Sequence, residues 1–212
     1  MRFSLSLRSF SLGCALALLG AGAAWAQPAD SPVNAADSSA DWLAGGTARL
    51  GGAIDSRSAK QGDAVEAKLD SAVKTPDGTE LPAGTKLQGS VSAVQASQGR
   101  GPSSVSIRFT KAELKSGKVV PVKVVVTAAY PNNDGQTAFY GDSLIGPAER
   151  RVSIKDQFDQ EPGTLSHIAM NSAAGSSDSA TFSNNKGDVK LQSGTFLQIG
   201  IAQQTSGLST AM

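Results

Sequence analysis

The sequence predicts an all-β fold, which we expect to be a small antiparallel β-barrel or sandwich with long polar loops. Apolar and charged residues alternate with a period of two in several short segments, as they do in half-buried strands. Glycine, proline and aspartate separate these segments at strand-length intervals, a spacing typical of antiparallel hairpins. No long stretch repeats its apolar residues with the helical period of 3.6.

The N-terminal segment 1–26 has the three parts of a secretory signal peptide. Arg2 and Arg8 precede an apolar run, and the Ala-Trp-Ala sequence at 24–26 places small residues at the −3 and −1 positions of a cleavage site. The apolar run is shorter than the ~20 residues that a membrane-spanning helix needs. We therefore predict that the mature chain begins at Gln27, has no stable membrane span and is periplasmic or secreted.

Cys14 is the one cysteine of the chain and lies inside the predicted signal peptide. Lipidation is the alternative, because Gly13 precedes it, but Leu12 stands one place too late for a lipobox. Cleavage before Gln27 leaves no cysteine, so we predict no disulfide, no thiolate nucleophile and no metal bound by cysteine.

The charge balance argues against nucleic acid as a partner. The chain has 19 Lys and Arg against 18 Asp and Glu, and loss of Arg2 and Arg8 with the signal moves the formal net charge from +1 to −1. A chain of this kind has no general surplus of cations with which to neutralise a phosphate backbone. Aromatic residues make up only 5% of the chain, which argues against a large aromatic-lined pocket.

The predicted organisation after the signal is a leader, one domain and a tail. Residues 27–43 are rich in Pro, Ser, Ala and Asp, and we interpret them as a flexible leader that Trp42 and Leu43 dock on the domain. We expect the β-barrel-like domain to run over 44–204 and residues 205–212 to be a disordered tail.

The first predicted strands lie in 47–54 and 65–70. The second of these alternates cleanly and places Val65, Ala67 and Leu69 on one face. Turn sequences flank it, with Gln-Gly-Asp at 61–63 and Pro-Asp-Gly at 76–78. These features predict hairpin connections.

The segment TELPAGTKLQGSV at 79–91 is predicted to be a joint between two strands. Pro82 fixes φ near −65° and Gly84 accepts a positive φ, so the Pro-Ala-Gly sequence reverses or sharply bends the chain. Gly89 lies in the strand that follows, where it allows a barrel corner or close packing. The segment contains no nucleophile, general base or metal ligand.

Two further strands are predicted over 105–114 and 119–127, with a Ser-Gly-Lys turn at 116–118 between them. The second is the densest β-branched segment of the chain. It contains Pro121, which cannot donate a hydrogen bond to a neighbouring strand, so we place this residue at an edge, a bulge or the start of the strand.

The later part of the chain is predicted to contain two long, mobile polar loops near 130–146 and 171–187, both rich in small polar residues. Between them we expect a short turn around 156–158, with the acidic residues of 156–161 in a solvated loop. The chain then closes with a hairpin or a bent strand over 189–201.

Several of these segments together resemble a known family. GDAVEAKL at 62–69, followed by DGTELPAGTKLQG at 77–89, is similar to a run in the C-terminal β-barrel of the TrbI-like scaffold proteins of type IV secretion and conjugation. Residues 105–114 and 193–199 are similar to that barrel's next strand and closing strand. The resemblance covers roughly 47–128 and 187–203 and implies a small β-barrel of the cell envelope.

The chain also departs from this family. Members carry an N-terminal membrane helix, a proline-rich stalk and a two-helix insertion that lines an outer-membrane pore. Here the sequence shows a cleavable signal, a short leader and a polar Gly/Ser segment in place of the helix pair. The resemblance therefore implies an envelope module without pore formation.

The nucleophile motifs in the sequence are weak. Ser71 to Lys74 and Ser183 to Lys186 each match S-x-x-K, but neither pair lies in a predicted helix and the companion motifs are absent. The segment 141–146 has one residue too many for a nucleophile elbow. We attribute these matches to chance, because Gly and Ser are common in this chain.

The single histidine, His167, is the one candidate general base for a Ser-His-Asp triad, with Ser143 as its nucleophile; a hydrogen-bonded bystander is the alternative that we prefer. A zinc site would need a second histidine or a cysteine in the mature chain. The segment 132–135 offers oxygens but lacks the spacing of an EF-hand, so we prefer a turn.

The acidic group of Asp156, Asp159 and Glu161 is interpreted as solvated, with weak cation binding as the alternative. We predict no catalytic, cofactor-binding or metal-binding residues. The expected function is a non-enzymatic envelope module that binds or scaffolds another envelope protein, or associates with itself, through a barrel rim or a sheet edge that accepts a strand.

The alternative is a hydrolase of an envelope polymer that uses His167 and an acidic residue of 156–161. A His167 within hydrogen-bond reach of a carboxylate and a serine hydroxyl favours the hydrolase, whereas an isolated His167 favours the binding module.

Overall fold

The computed structural model describes residues 42–99, 101–132 and 151–204. These residues form strands and turns, which confirms the predicted all-β class. No helix in these three ranges is long and apolar enough to cross a membrane. The strands are β1 (Trp42–Leu50), β2 (Ile54–Asp55), β3 (Ala64–Leu69), β4 (Val73–Lys74), β5 (Glu80–Leu81), β6 (Lys86–Gln95), β7 (Ser103–Glu113), β8 (Val119–Tyr130), β9 (Arg151–Ser153), β10 (Gln157–Leu165), β11 (Ile168–Ala173), β12 (Ala180–Asn184), β13 (Lys190–Leu191) and β14 (Phe196–Gln203).

Six antiparallel strands close into a barrel, in the order β1, β3, β6, β7, β8, β14 and back to β1. Side chains alternate between the interior and the solvent, as the sequence predicts for β3, where Val65, Ala67 and Leu69 are buried. Two short pairs, β2 with β13 and β4 with β5, lie outside this ring.

Strand β8 is buried on both faces over Val124 to Val126. Val124 and Val126 point into the barrel, whereas Val125 packs on its outside in a second small apolar cluster with Leu43, Val152 and Ala174. A continuous β-branched run is the expected pattern for a strand covered on two sides. The predicted strand over 119–127 is thus confirmed, with Pro121 near its start.

The strands β10, β11 and β12 extend the sheet from the first half of β7. The stretch 171–187, predicted to be a long loop, instead contains the end of β11 and all of β12. The acidic stretch 156–161 lies mainly in β10 and not in a loop. The predicted loop over 130–146 lies outside the described residues from position 133 onward.

Two other boundaries differ from expectation. Trp42 and Leu43 belong to β1 and pair with β9, so they form part of the domain and not of the leader. The turn expected around 156–158 lies slightly earlier, where the N–H of Asp156 donates to the carbonyl of Ser153. The predicted signal peptide, the remaining leader 27–41 and the tail from 205 onward lie outside the described residues.

The predicted glycine turns are confirmed by backbone geometry. Gly62, Gly78, Gly84 and Gly117 all have a positive φ, between 82° and 94°. In the turn that contains Gly78, partial burial opposes ionisation, but hydrogen bonds from Thr75 and Thr79 outweigh it and hold the pKa of Asp77 below its usual value.

The seam between β7 and β8 is closed partly by hydrogen bonds from a residue outside both strands. The two strands pair directly only from Lys111 to Glu113, beside the turn that joins them, and they are separate before Lys111 in β7 and after Pro121 in β8. Ser179 fills the gap: its N–H donates to Ile107 at 2.8 Å, its hydroxyl oxygen accepts the N–H of Phe109 at 3.0 Å, and its carbonyl accepts the N–H of Val126 at 2.8 Å.

Two more side chains from the β10–β12 extension complete this seam. The hydroxyl of Ser172 donates to the carbonyl of Val126 at 2.5 Å. The amide of Gln160 accepts from the N–H of Ala129 at 2.8 Å and donates to its carbonyl at 2.7 Å, as a neighbouring strand would. The extension therefore supplies hydrogen bonds that β7 no longer gives to β8.

Gly89 sits where β6 and β7 approach most closely, at a shift in their register. A Cβ at this position would lie 2.0 Å from the carbonyl oxygen of Arg108 and 2.7 Å from the Cα of Phe109. The close packing predicted for this glycine is confirmed.

We expect Gly89→Ala to destabilise the domain by about 3 kcal/mol or more, because the added carbon meets backbone atoms that can move only with β7. Gly84→Ala should cost about 1–2 kcal/mol, since it adds strain at a positive φ but meets only flexible lysine side chains. Gly52→Ala is the control, because no atom lies within 4 Å of its added Cβ. Urea unfolding measures all three, and equal effects at Gly89 and Gly52 would contradict the close approach.

Ser179→Ala should cost about 1–3 kcal/mol, because it leaves the buried N–H of Phe109 without an acceptor. Ser166→Ala, at an exposed turn, is the matched control and should change the free energy of unfolding by less than about 0.5 kcal/mol. Hydrogen exchange at Phe109 provides a second measurement. A Ser179→Ala variant as stable as the control would show that the seam does not depend on this hydroxyl.

Candidate functional site

His167 and the acidic residues of 156–161, which the hydrolase alternative uses, lie on or beside the β10–β11 hairpin. His167 occupies the two-residue turn between the paired residues Leu165 and Ile168. It is exposed and has a φ of 66°, the only positive φ of a non-glycine residue in the described ranges. Histidine is one of the few residues other than glycine that are enriched at positive φ, so the turn itself accounts for its presence here.

Among the described residues, no carboxylate forms an ion pair with His167. Asp159 pairs with Asn171, four positions along β11 from His167, a separation of about 13 Å at the usual rise of a strand. Asp156 lies at the far end of the hairpin, where its carboxylate accepts the N–H of Ser153 at 3.0 Å. Within the described part of the chain, His167 makes no hydrogen bond.

The two S-x-x-K pairs lie in extended structure and turns. Ser71 precedes β4, on which Lys74 is exposed. Ser183 lies on β12, and Lys186 follows in a turn where its N–H donates to Asn184 at 3.0 Å. Neither pair has the adjacent helical positions that the motif requires.

The remaining candidates are only partly described. The side-chain amide of Asn132 lies 3.5 Å from the carbonyl of Ser193, beside the turn at Gly194. Residues 133–146, which include Ser143 and the rest of the segment 132–135 that is predicted to be a turn, lie outside the described residues. Among the residues that are described, no group of three or more His, Cys, Asp or Glu is arranged to hold a metal ion.

The feature of the hairpin with clear binding capacity is the outer edge of β10, which pairs with β11 alone in the described sheet. The N–H of Ala174 donates to the carbonyl of Asp156. Because hydrogen-bonded pairs alternate in an antiparallel ladder, Phe158 and Gln160 also direct their backbone groups to β11. The N–H and C=O groups of Gln157 and Asp159 therefore point away from the sheet.

The inner face of β10 is fixed in place. Gln160 is held by both hydrogen bonds to Ala129, and Phe158 packs against the two apolar clusters of the domain. A strand with an anchored inner face, and with no partner on its outer edge in the described ranges, is a suitable template for an added strand, since the edge is already extended before the partner arrives.

The side chains around this edge are mostly acidic. Asp156, Asp159 and Glu161 are exposed, and Pro162 follows at a bulge that ends the regular pairing. Charges and proline are features by which natural edge strands avoid aggregation. They limit an added strand to about four residues along 157–160 and favour one that carries positive charge.

The edge was missed from the sequence because 156–161 looked like an acidic loop. The signal that marks it as a strand is the alternation of exposed Gln157, Asp159 and Glu161 with partly buried Phe158 and Gln160. Gln160 obscures this alternation because it is a polar residue on the inner face of the strand. Its amide can be buried there only because it hydrogen-bonds to the backbone of Ala129.

Comparisons with protein-family models, with curated proteins and with solved structures gave no match to this chain. Function is therefore argued from the geometry.

We expect His167→Gly to stabilise the domain by about 0.5–1 kcal/mol, because glycine adopts a positive φ without the clash of a Cβ atom. His167→Val should destabilise it by about 1 kcal/mol or more, since β-branched residues fit this conformation poorly. Thermal unfolding of both variants measures the difference. A loss of stability in His167→Gly would mean that the imidazole makes a contact that outweighs the strain.

Proposed function

We propose that this protein is a non-enzymatic, exported module of the cell envelope that binds another envelope protein by accepting an extended segment at the edge of β10. The observation that carries the proposal is the open backbone edge at Gln157 and Asp159, on a strand whose other face is anchored to the barrel. Strand addition obtains its affinity from such main-chain groups.

The envelope location is supported by the signal-peptide pattern of residues 1–26 and by the resemblance to the TrbI-like barrel. The segments that carry the resemblance lie next to one another, since 62–69 supplies β3 and 77–89 supplies β5 and the first part of β6, which pairs with β3. A polar Gly/Ser segment stands in place of the family's apolar helix pair, so the proposal does not include a pore.

The charges on the edge favour a different chain over self-association. Antiparallel pairing of two β10 strands would bring Asp159 and the neighbouring acids of both copies face to face, and like charges directly opposite one another are destabilising. We therefore propose a partner segment with lysine or arginine at alternate positions. The hydrolase alternative has no comparable support, because its histidine and carboxylates do not meet in the described hairpin.

The test is Asp159→Pro, made in the exported full-length protein. The N–H of Asp159 faces the open edge, so proline should leave the β10–β11 ladder and the unfolding midpoint nearly unchanged while removing a hydrogen bond to an added strand. We expect pull-downs from native envelopes to recover a partner with the wild type and to lose it with Asp159→Pro.

Asp159→Ala is the matched control, because it removes the same carboxylate but keeps the N–H. It should retain most of the capture, with a reduced dependence on salt. The proposal fails if Asp159→Pro captures the same partner as the wild type at equal folding stability, since the edge would then take no part in binding.

A further inference from the structure

Three cations lie side by side on the outer face of the barrel, at a place unrelated to β10. Arg49 on β1 pairs in register with Lys68 on β3, and Lys68 pairs with Lys86 on β6. All three side chains are exposed. Neighbouring strands are about 4.8 Å apart, and like charges placed directly opposite one another destabilise a sheet, so these three cations repel one another. Glu113 on β7 lies opposite Lys86 on its other side and offsets part of this repulsion.

A fourth cation approaches from the hairpin between β7 and β8. Lys115 lies with Arg49, Lys68 and Gly84 around a cleft of about 400 Å³. A Cβ atom on Gly84 would lie 2.7 Å from the Cε of Lys115 and 3.4 Å from the Cε of Lys68. Both lysine side chains therefore converge over Gly84. Because glycine has no side chain, the space beneath the two ammonium groups is not filled.

The cleft contains few negative charges to balance these cations. Asp70 is the carboxylate that lines it, and it pairs with Arg49 at 3.2 Å. No carboxylate in the described ranges lies within ion-pair distance of Lys68, Lys86 or Lys115. Of the groups that line the cleft, three are cationic and one is anionic, so the cleft has a net charge of +2 in a chain that is nearly neutral.

The guanidinium of Arg49 is oriented before any ligand arrives. It lies over the ring of Phe196, 5.6 Å from the ring centre, and its Nε faces Asp70. These two contacts restrict a side chain that would otherwise sample many rotamers, and they reduce the entropy that an anion must overcome on binding.

We propose that the cleft of Arg49, Lys68 and Lys115 binds a doubly charged oxyanion of the phosphate type, presented by a lipid headgroup or by a soluble phosphate-bearing polymer. A net charge of +2 matches a dianion better than a single carboxylate. Lysine ammonium groups act as compact charges toward phosphate oxygens, while the planar guanidinium adds directed donors. The proposal is independent of strand addition, because none of these residues lies on β9–β12.

The first experiment titrates the full mature chain with inorganic phosphate near neutral pH and low ionic strength, followed by amide NMR shifts. We expect the shifts to concentrate at Lys68, Gly84 and Lys115 and to weaken with added salt. The Lys68→Gln/Lys115→Gln variant should lose at least about tenfold in affinity. The Lys60→Gln/Lys118→Gln variant removes equal charge outside the cleft and should bind as the wild type does.

Asp70→Asn supplies a test that a damaged fold cannot mimic. It removes the one carboxylate of the cleft, so phosphate should bind several-fold more tightly than to the wild type. Acetate, a monoanion, should bind more weakly than phosphate to every variant.

Vesicles of phosphatidylcholine with phosphatidic acid, compared with soluble polyphosphate, then distinguish a lipid from a polymer as the source of the phosphate group. Binding of either supports the site.

Three outcomes would overturn the proposal. The first is equal loss of affinity in the two charge-matched double variants, which would mean that only overall charge matters. The second is acetate binding as tight as phosphate binding, and the third is unchanged or weaker phosphate binding by folded Asp70→Asn.

Discussion

The fold depends on hydrogen-bond partners for the backbone N–H and C=O groups of β8 that β7 does not reach. A barrel strand that separates from its neighbour leaves backbone N–H and C=O groups without partners, and each such buried group costs about 1–3 kcal/mol. Here β7 and β8 pair only beside their hairpin and separate after Pro121 in β8. The backbone groups of Val126 and Ala129 that β7 does not reach are bonded by Ser179, Ser172 and Gln160. The position of the β10–β12 extension follows from this need, because these three residues must reach β8.

The same arrangement creates the edge that we propose as the binding site. Full closure removes free edges from a barrel, yet the seam of this barrel is closed by strands that themselves end in an outer strand, β10. Because Gln160 anchors β10 through its side chain, the backbone of the strand is held extended although none of the described strands pairs with its outer side. The residues that close the seam between β7 and β8 thus place β10, an ordered strand that pairs with β11 on one side, at the surface.

The sequence predicted those parts of the fold whose signals are local. The alternation in Val65–Leu69 and the glycine turns were sufficient, because each depends on neighbours in the chain. Strand β12 escaped prediction because its polar residues are acceptable only through distant partners, as where Thr181 bonds Ser106 at 2.8 Å. The cationic cleft escaped for a similar reason, since only the register of the strands brings Arg49 beside Lys68 and Lys86.

The two proposed surfaces lie at opposite ends of β7. Its first half, Ser103 to Ile107, pairs with β12 and leads to the β10 edge, whereas Lys111 to Glu113 lead to the hairpin that carries Lys115. At about 3.3 Å per residue, the length of β7 separates these ends by about 33 Å. A protein segment on β10 and a phosphate group in the cleft would therefore not compete. Because both proposed surfaces lie on one closed sheet and share β7, binding at one leaves the other accessible.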